Sequence, residues 1–119
     1  MSAIANYLRT HRLKAGFSRR ELAEIVGLFT EVQVSRHERS TLIPSLVAAL
    51  SYEAIFRIPL SELFPGLYET IVQGIEDRLS ALEQTLENST ARGNKANIIA
   101  MKLVWLNERK SLTITDSNK

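Results

Sequence analysis

Apolar residues in this chain recur at helical intervals, and glycine and proline keep interrupting them. Gly16, Gly27, Pro44, Pro59, the pair Pro65-Gly66 and Gly93 mark the breaks. No alternating run between them is long enough for a strand. The one alternation, Leu112-Thr113-Ile114-Thr115, is short and terminal, and it reads as a frayed tail. Helices this short are marginal in water on their own. They hold only by packing against one another, so the spacing predicts an all-α chain.

Size and composition narrow what such a chain does. It has 119 residues, 45% of them hydrophobic and 24% charged, which suits one small globular domain with a helical appendage and argues against disorder. It contains no cysteine, which excludes disulfide scaffolds, cysteine-ligated zinc, iron–sulfur clusters and a thiol nucleophile. Two histidines, His11 and His37, are too few for an all-histidine metal site. No apolar run approaches the ~20 residues of a membrane span, and the opening MSAIANYLRT lacks a signal-peptide stretch. The expected location is cytoplasmic. No glycine-rich phosphate loop, HExxH or GxSxG is present. Glu21 and Glu24 lie along one helix, where a catalytic carboxylate pair lacks a pocket. The expectation is a protein that is not an enzyme, with no catalytic residues, no metal and no cofactor.

Segment by segment, the first helix is predicted over residues 3–15, with Ile4, Leu8 and Arg12 on one face and Gly16 as its left-handed cap. Ser18-Arg19-Arg20-Glu21 is a capping box that opens a second helix, which Gly27 closes. Thr30 is the N-cap of a third helix running to about Arg39. Ser45, after Pro44, caps a fourth, with Leu46, Val47, Leu50 and Ala54 facing inward and Pro59 stopping it. Ser61 caps one further turn. Five short helices within residues 1–65 form one domain. Its expected core is Leu8, Phe17, Leu22, Val26, Leu28, Val34, Leu46, Leu50, Ile55, Ile58 and Leu63.

Residues 66–119 read differently. Tyr68, Val72, Ile75, Leu79, Leu82 and Leu86 fill a and d of three heptads. A polar turn, Asn88 to Asn97, contains Gly93. Ala96, Ile99, Leu103 and Leu106 then repeat the stripe on a second helix. Such a pair, a hairpin or coiled-coil-like, needs to fold onto itself, onto the first domain or onto another chain. These heptad residues are the expected dimer surface, with an intramolecular hairpin packed on the first domain as the alternative.

A capped helix, a glycine turn and a second helix with a polar outer face describe a helix-turn-helix. Small Ala23 lets the helices approach closely, and Val26, Leu28 and Val34 fix their crossing. Charge agrees in part: net charge is only +2, but residues 1–66 carry eight basic against six acidic side chains, mostly arginine, whose planar fork suits phosphate.

At Phe17 to Leu28 followed by Val34-Ser35-Arg36-His37-Glu38-Arg39, the sequence resembles the Cro and λ-repressor-like helix-turn-helix regulators of the xenobiotic-response-element type. The likeness extends over residues 7–65 and includes Leu8, Arg12, Pro44-Ser45-Leu46 and Pro59-Leu60-Ser61-Glu62-Leu63-Phe64. Phe29 stands as a one-residue insertion against the family pattern, and Ser40 replaces the family's glycine.

The resemblance implies a five-helix DNA-binding domain and residue roles within it. Glu31, Val32, Gln33 and Arg36 occupy the positions that face base edges: Gln33 suits adenine, Arg36 guanine and Val32 a thymine methyl. Arg19, Arg20, Thr30, Ser35, Arg39, Ser40 and Thr41 are the phosphate candidates. Arg12 and Glu38 are implied as a buried ion pair joining the first helix to the third. His37 stands where the family has an aliphatic or aromatic residue, so it reads as a packed, hydrogen-bonded histidine.

The function implied is a transcriptional repressor binding double-stranded DNA as a homodimer on a roughly palindromic operator. Tyr68, Val72, Ile75, Leu79, Leu82, Leu86, Ile99, Leu103 and Leu106 would form its dimer interface. Two other readings remain open: an antitoxin whose extra helices bind a toxin, and a protein-interaction adaptor that kept the fold without DNA binding.

Overall fold

The structure is a computed structural model and describes residues 6–117, with side chains through residue 112. All regular structure among the described residues is helical: α1 (Leu8–Ala15), α2 (Arg19–Val26), α3 (Glu31–Glu38), α4 (Leu46–Phe56), α5 (Leu60–Leu63), α6 (Pro65–Glu87) and α7 (Asn94–Ser117). The chain divides into two compact units between Val72 and Gln73, within α6.

Local chemistry sets the ends of the short helices. Gly16 and Gly27 take left-handed φ of 83° and 91°, a conformation that only glycine adopts freely, and so end α1 and α2. Ser18 accepts the Glu21 amide while its own amide donates to the Glu21 carboxylate, completing the capping box. Thr30 Oγ1 caps α3 at the Val32 amide, and Ser45 Oγ caps α4 at the Ala48 amide. Helix α1 starts at Leu8, whose amide donates to Asn6 Oδ1. Against the predicted start at residue 3, residues 3–5, Ile4 among them, lie outside the described residues, and Asn6 and Tyr7 precede the helix instead of belonging to it. Helix α4 stops at Phe56 through a left-handed Arg57, ahead of Pro59. Ser61 caps nothing: α5 begins after Pro59, and the Glu53 carboxylate accepts the Leu60 amide.

The core of the first unit is Leu8, Leu22, Ala23, Val34, Ala48, Tyr52, Leu63 and Phe64, with Val26, Leu28, Ile55 and Ile58 packed on it. This corrects the expected inner face of α4. Leu46 and Val47 are 71% and 72% exposed, and Leu50 and Ala54 also face out, while Ala48 and Tyr52 point inward. The helix is apolar nearly all round, so hydrophobicity could not say which side turns in; Tyr52 takes the inner side because its hydroxyl finds a buried partner in His37. Tyr7 N–H to Leu63 O, at 2.8 Å, ties the start of α1 to the end of α5.

In the second unit the seam is shifted from the expected register. On α6, Leu79 and Leu86 are half-buried with Glu76 and Glu83, while Ile75 and Leu82 are exposed. Tyr68, at the N-terminal end of α6 in the first unit, is also exposed. The facing stripe of α7 is Ala96, Ile99, Leu103 and the buried Leu106. Carboxylates enter the α6 stripe because α7 supplies their partners: Arg109 meets Glu76 at 2.6 Å and Lys110 meets Glu83 at 2.9 Å. The Arg109 hydrogen bond holds the Glu76 carboxyl below its ordinary range. The residues expected to fray, Leu112 to Thr115, continue α7 as helix.

Candidate nucleic-acid interface

Helices α2 and α3 are joined by Gly27-Leu28-Phe29-Thr30 and packed through Leu22, Ala23 and Val34, all 3% exposed or less. Because Val34 and His37 point into the core, helical periodicity turns Glu31, Val32 and Arg36 outward on α3, and Arg39, at its C-cap, is exposed as well. Gln33 and Ser35 lie half-buried at the edges of that face.

Beneath this face lies a charged brace. The Glu38 carboxylate is 1% exposed and accepts from Arg12 Nε at 2.5 Å and Arg19 Nε at 3.1 Å. Arg12 is 6% exposed, and its Nη1 also donates to the Phe17 carbonyl at 2.9 Å. One carboxylate therefore joins α1, the first residue of α2 and the end of α3, and it leaves one net positive charge. Arg12 and Glu38 stand as the resemblance implied; the engagement of Arg19 is new. No spacing rule pairs residues 19 and 38, so the sequence carried no signal for it. The Arg19 side chain stays 42% exposed at the N-terminus of α2, with its terminal nitrogens free to face outward.

His37 is 3% exposed, and its Nδ1 lies 2.8 Å from the Tyr52 hydroxyl with the rings edge to face. Burial lowers the imidazole below its usual 6.5. Burial, with the nearby Glu38 charge, raises the Tyr52 phenol above its ordinary value. Both rings are thus held neutral under the outer face of α3.

Other candidates fall in different places. Arg20 is exposed and lies 4.0 Å from Glu24, an ordinary surface pair. Ser40 takes a left-handed φ of 60° where glycine was the family expectation. Asn6 holds that turn: its amide donates to Ser40 Oγ at 2.8 Å and to the His37 and Glu38 carbonyls. Thr41 turns back, its amide and hydroxyl both donating to the Arg36 carbonyl. Thr30 spends its hydroxyl on the cap of α3. Gln33 Oε1 accepts the Phe29 amide at 3.1 Å, so in this conformer its NH2 is the group that remains to donate outward. That suits an acceptor edge better than the paired donor and acceptor of adenine. Phe29 itself is 98% exposed beside the N-terminus of α3.

No group of metal-ligating side chains occurs among the described residues, and no described helix is long and apolar enough to cross a membrane. No protein-family model, curated protein or solved structure matches the chain.

Proposed function

We propose that the first unit is a λ-repressor-like helix-turn-helix domain, followed by a C-terminal helical pair, and that the chain is a sequence-specific double-stranded DNA-binding regulator acting as a homodimeric repressor. The observation that carries this reading is the braced outer face of α3. Val32 and Arg36, with Arg39 at the C-cap, are exposed on a helix whose reverse side is locked by Val34, His37 and the Arg12–Glu38–Arg19 cluster. A surface helix that binds nothing gains little from so rigid a support, whereas reading base edges requires side chains held in fixed positions.

Within the proposal, Val32 and Arg36 face the bases together with the free amide group of Gln33. Arg19 and Arg39 address phosphates. Glu31, in the first turn of α3, complements the positive end of the helix dipole rather than a phosphate. One such domain makes few base contacts, so two copies on a two-fold site are needed for useful affinity. The proposal assigns no catalytic role to any residue.

Selection of bound sequences from random duplex DNA by the purified chain tests this. Enrichment of a palindrome, with binding that weakens steeply as salt rises, supports it. Absence of any enriched sequence at low salt overturns it.

A further inference from the structure

Phe29 is the most exposed large apolar side chain among the described residues, at 98%. It stands one residue before Thr30, the N-cap of α3. An apolar residue at this place ordinarily packs on the side chain five positions later and fixes how the chain enters the helix. That side chain is Val34, which lies wholly within the core, and Phe29, with its ring in solvent, does not pack on it.

The backbone of Phe29 is nonetheless held. Its amide donates to Gln33 Oε1 at 3.1 Å. In the capping box of α2, Glu21 reaches back to the amide of its own N-cap, Ser18. Gln33 stands at the same place in α3, third in the helix, and reaches one residue farther, past Thr30. A backbone N–H only donates, so the oxygen of the Gln33 amide faces Phe29 and the NH2 faces away. A free apolar ring and a free donor therefore start from one place, at the leading end of α3. The leading end of the second helix is the part of such a motif that reaches base edges.

The four bases offer the major groove different edges, and one of them complements this pair. Thymine sets an acceptor, O4, beside a methyl group on C5. Cytosine turns an amino donor toward the same position and has no methyl. Guanine offers acceptors without a methyl, and adenine sets an amino donor beside its acceptor. Thymine is the edge that satisfies donor and ring together.

We infer that Phe29 and Gln33 act together as a thymine reader, the ring against the C5 methyl and the Gln33 NH2 on O4 of one thymine in each half-site. The inference rests on the DNA-binding reading and names a base that this reading leaves open. It also moves the methyl contact from Val32, where the resemblance places it, to Phe29.

The test takes the duplex that the full chain enriches from random DNA and replaces each thymine in turn by deoxyuridine, which keeps O4 and lacks only the methyl. At one thymine per half-site the exchange is expected to weaken binding about fourfold, the size of one buried methylene. Phe29→Ala removes no packing from the fold and is expected to bind the thymine and uridine duplexes alike. The uridine effect at that position persists in Val32→Ala, whatever affinity that variant loses. Cytosine there is expected to weaken binding about 5- to 150-fold, the range for one mismatched pair. Gln33→Glu keeps an oxygen for the Phe29 amide and turns a second acceptor outward, which suits the cytosine amino group. Its preference at that position is expected to move from thymine to cytosine, and further to 5-methylcytosine, which returns a methyl to the ring. A uridine scan without effect, a uridine effect that persists in Phe29→Ala, or a Gln33→Glu variant that still prefers thymine overturns the inference. Each of these leaves the enriched site, and with it the DNA-binding reading, in place. Failure to enrich any site overturns both.

Discussion

Arg12 and Glu38 meet at 2.5 Å with both side chains almost wholly withdrawn from solvent, and this contact joins the first helix to the end of the third. Glu38→Gln strips the countercharge from two arginines at once, one of them buried. Losing one partner of a buried pair costs about 3–5 kcal/mol. Urea denaturation of Glu38→Gln is expected to show a loss of that size, and a loss below about 1 kcal/mol, as for an exposed pair, would contradict the brace.

Arg19 shares the same carboxylate from a half-exposed position, so its two roles separate experimentally. Arg19→Ala is expected to cost at most about 1 kcal/mol of stability, as for surface pairs. It is also expected to weaken binding to all DNA sequences alike and to reduce the salt slope by about one. Arg36→Ala is expected to leave stability unchanged and to relax preference at one base-pair position. Melting curves alongside titrations of cognate and scrambled duplexes check both. Equal binding of the cognate site by Arg36→Ala and wild type would reverse the assigned orientation of α3.

His37 makes stability depend on acidity. Its folded-state pKa lies below the unfolded 6.5, so the unfolded chain takes up the proton first as pH falls. The contribution is therefore present above about 6.5 and is lost progressively below it. The difference in unfolding free energy between pH 7.5 and pH 5 is expected to shrink in His37→Phe, which cannot titrate. That variant also leaves the Tyr52 hydroxyl without its partner, at a cost of about 1–3 kcal/mol at neutral pH. An unchanged pH slope in His37→Phe would assign the dependence elsewhere.

Arg57 closes α4 with φ at 59°, a conformation disfavoured for a residue with a Cβ. Its side chain is exposed, so glycine relieves the strain without loss of packing. Arg57→Gly is expected to raise stability by about 0.5–1 kcal/mol, read as a higher melting temperature. The same exchange at Ser40 is expected to gain less, because it removes the hydroxyl that accepts from Asn6.

Where a backbone group needs a particular partner, the sequence spoke clearly. Ser18 with Glu21, Thr30, Ser45, Gly16 and Gly27 define helix ends through chemistry that lies within a few residues. Choices settled by distant partners were not legible. Leu46, Val47, Ala48, Ala49 and Leu50 offer no polar contrast, and the inner side of α4 is chosen by Tyr52 meeting His37. Counting apolar heptads put Ile75 and Leu82 in the α6 seam. Glu76 and Glu83 take those places because Arg109 and Lys110, far along the chain, neutralise them. At the candidate interface Glu31, Val32 and Arg36 are exposed at positions that the resemblance implied, while Gln33 is half-buried. The Glu38–Arg19 contact and the engaged oxygen of Gln33 are three-dimensional facts with no local signature.

The way Arg19 is held has a final consequence. Glu38 engages only its Nε, so the guanidinium is already oriented while its two terminal nitrogens stay available. An incoming anion at that place meets a prong whose rotation has already been arrested, and little freedom is left to surrender on capture. Lysine, with a single charged nitrogen, would have to choose between the inner carboxylate and the visitor.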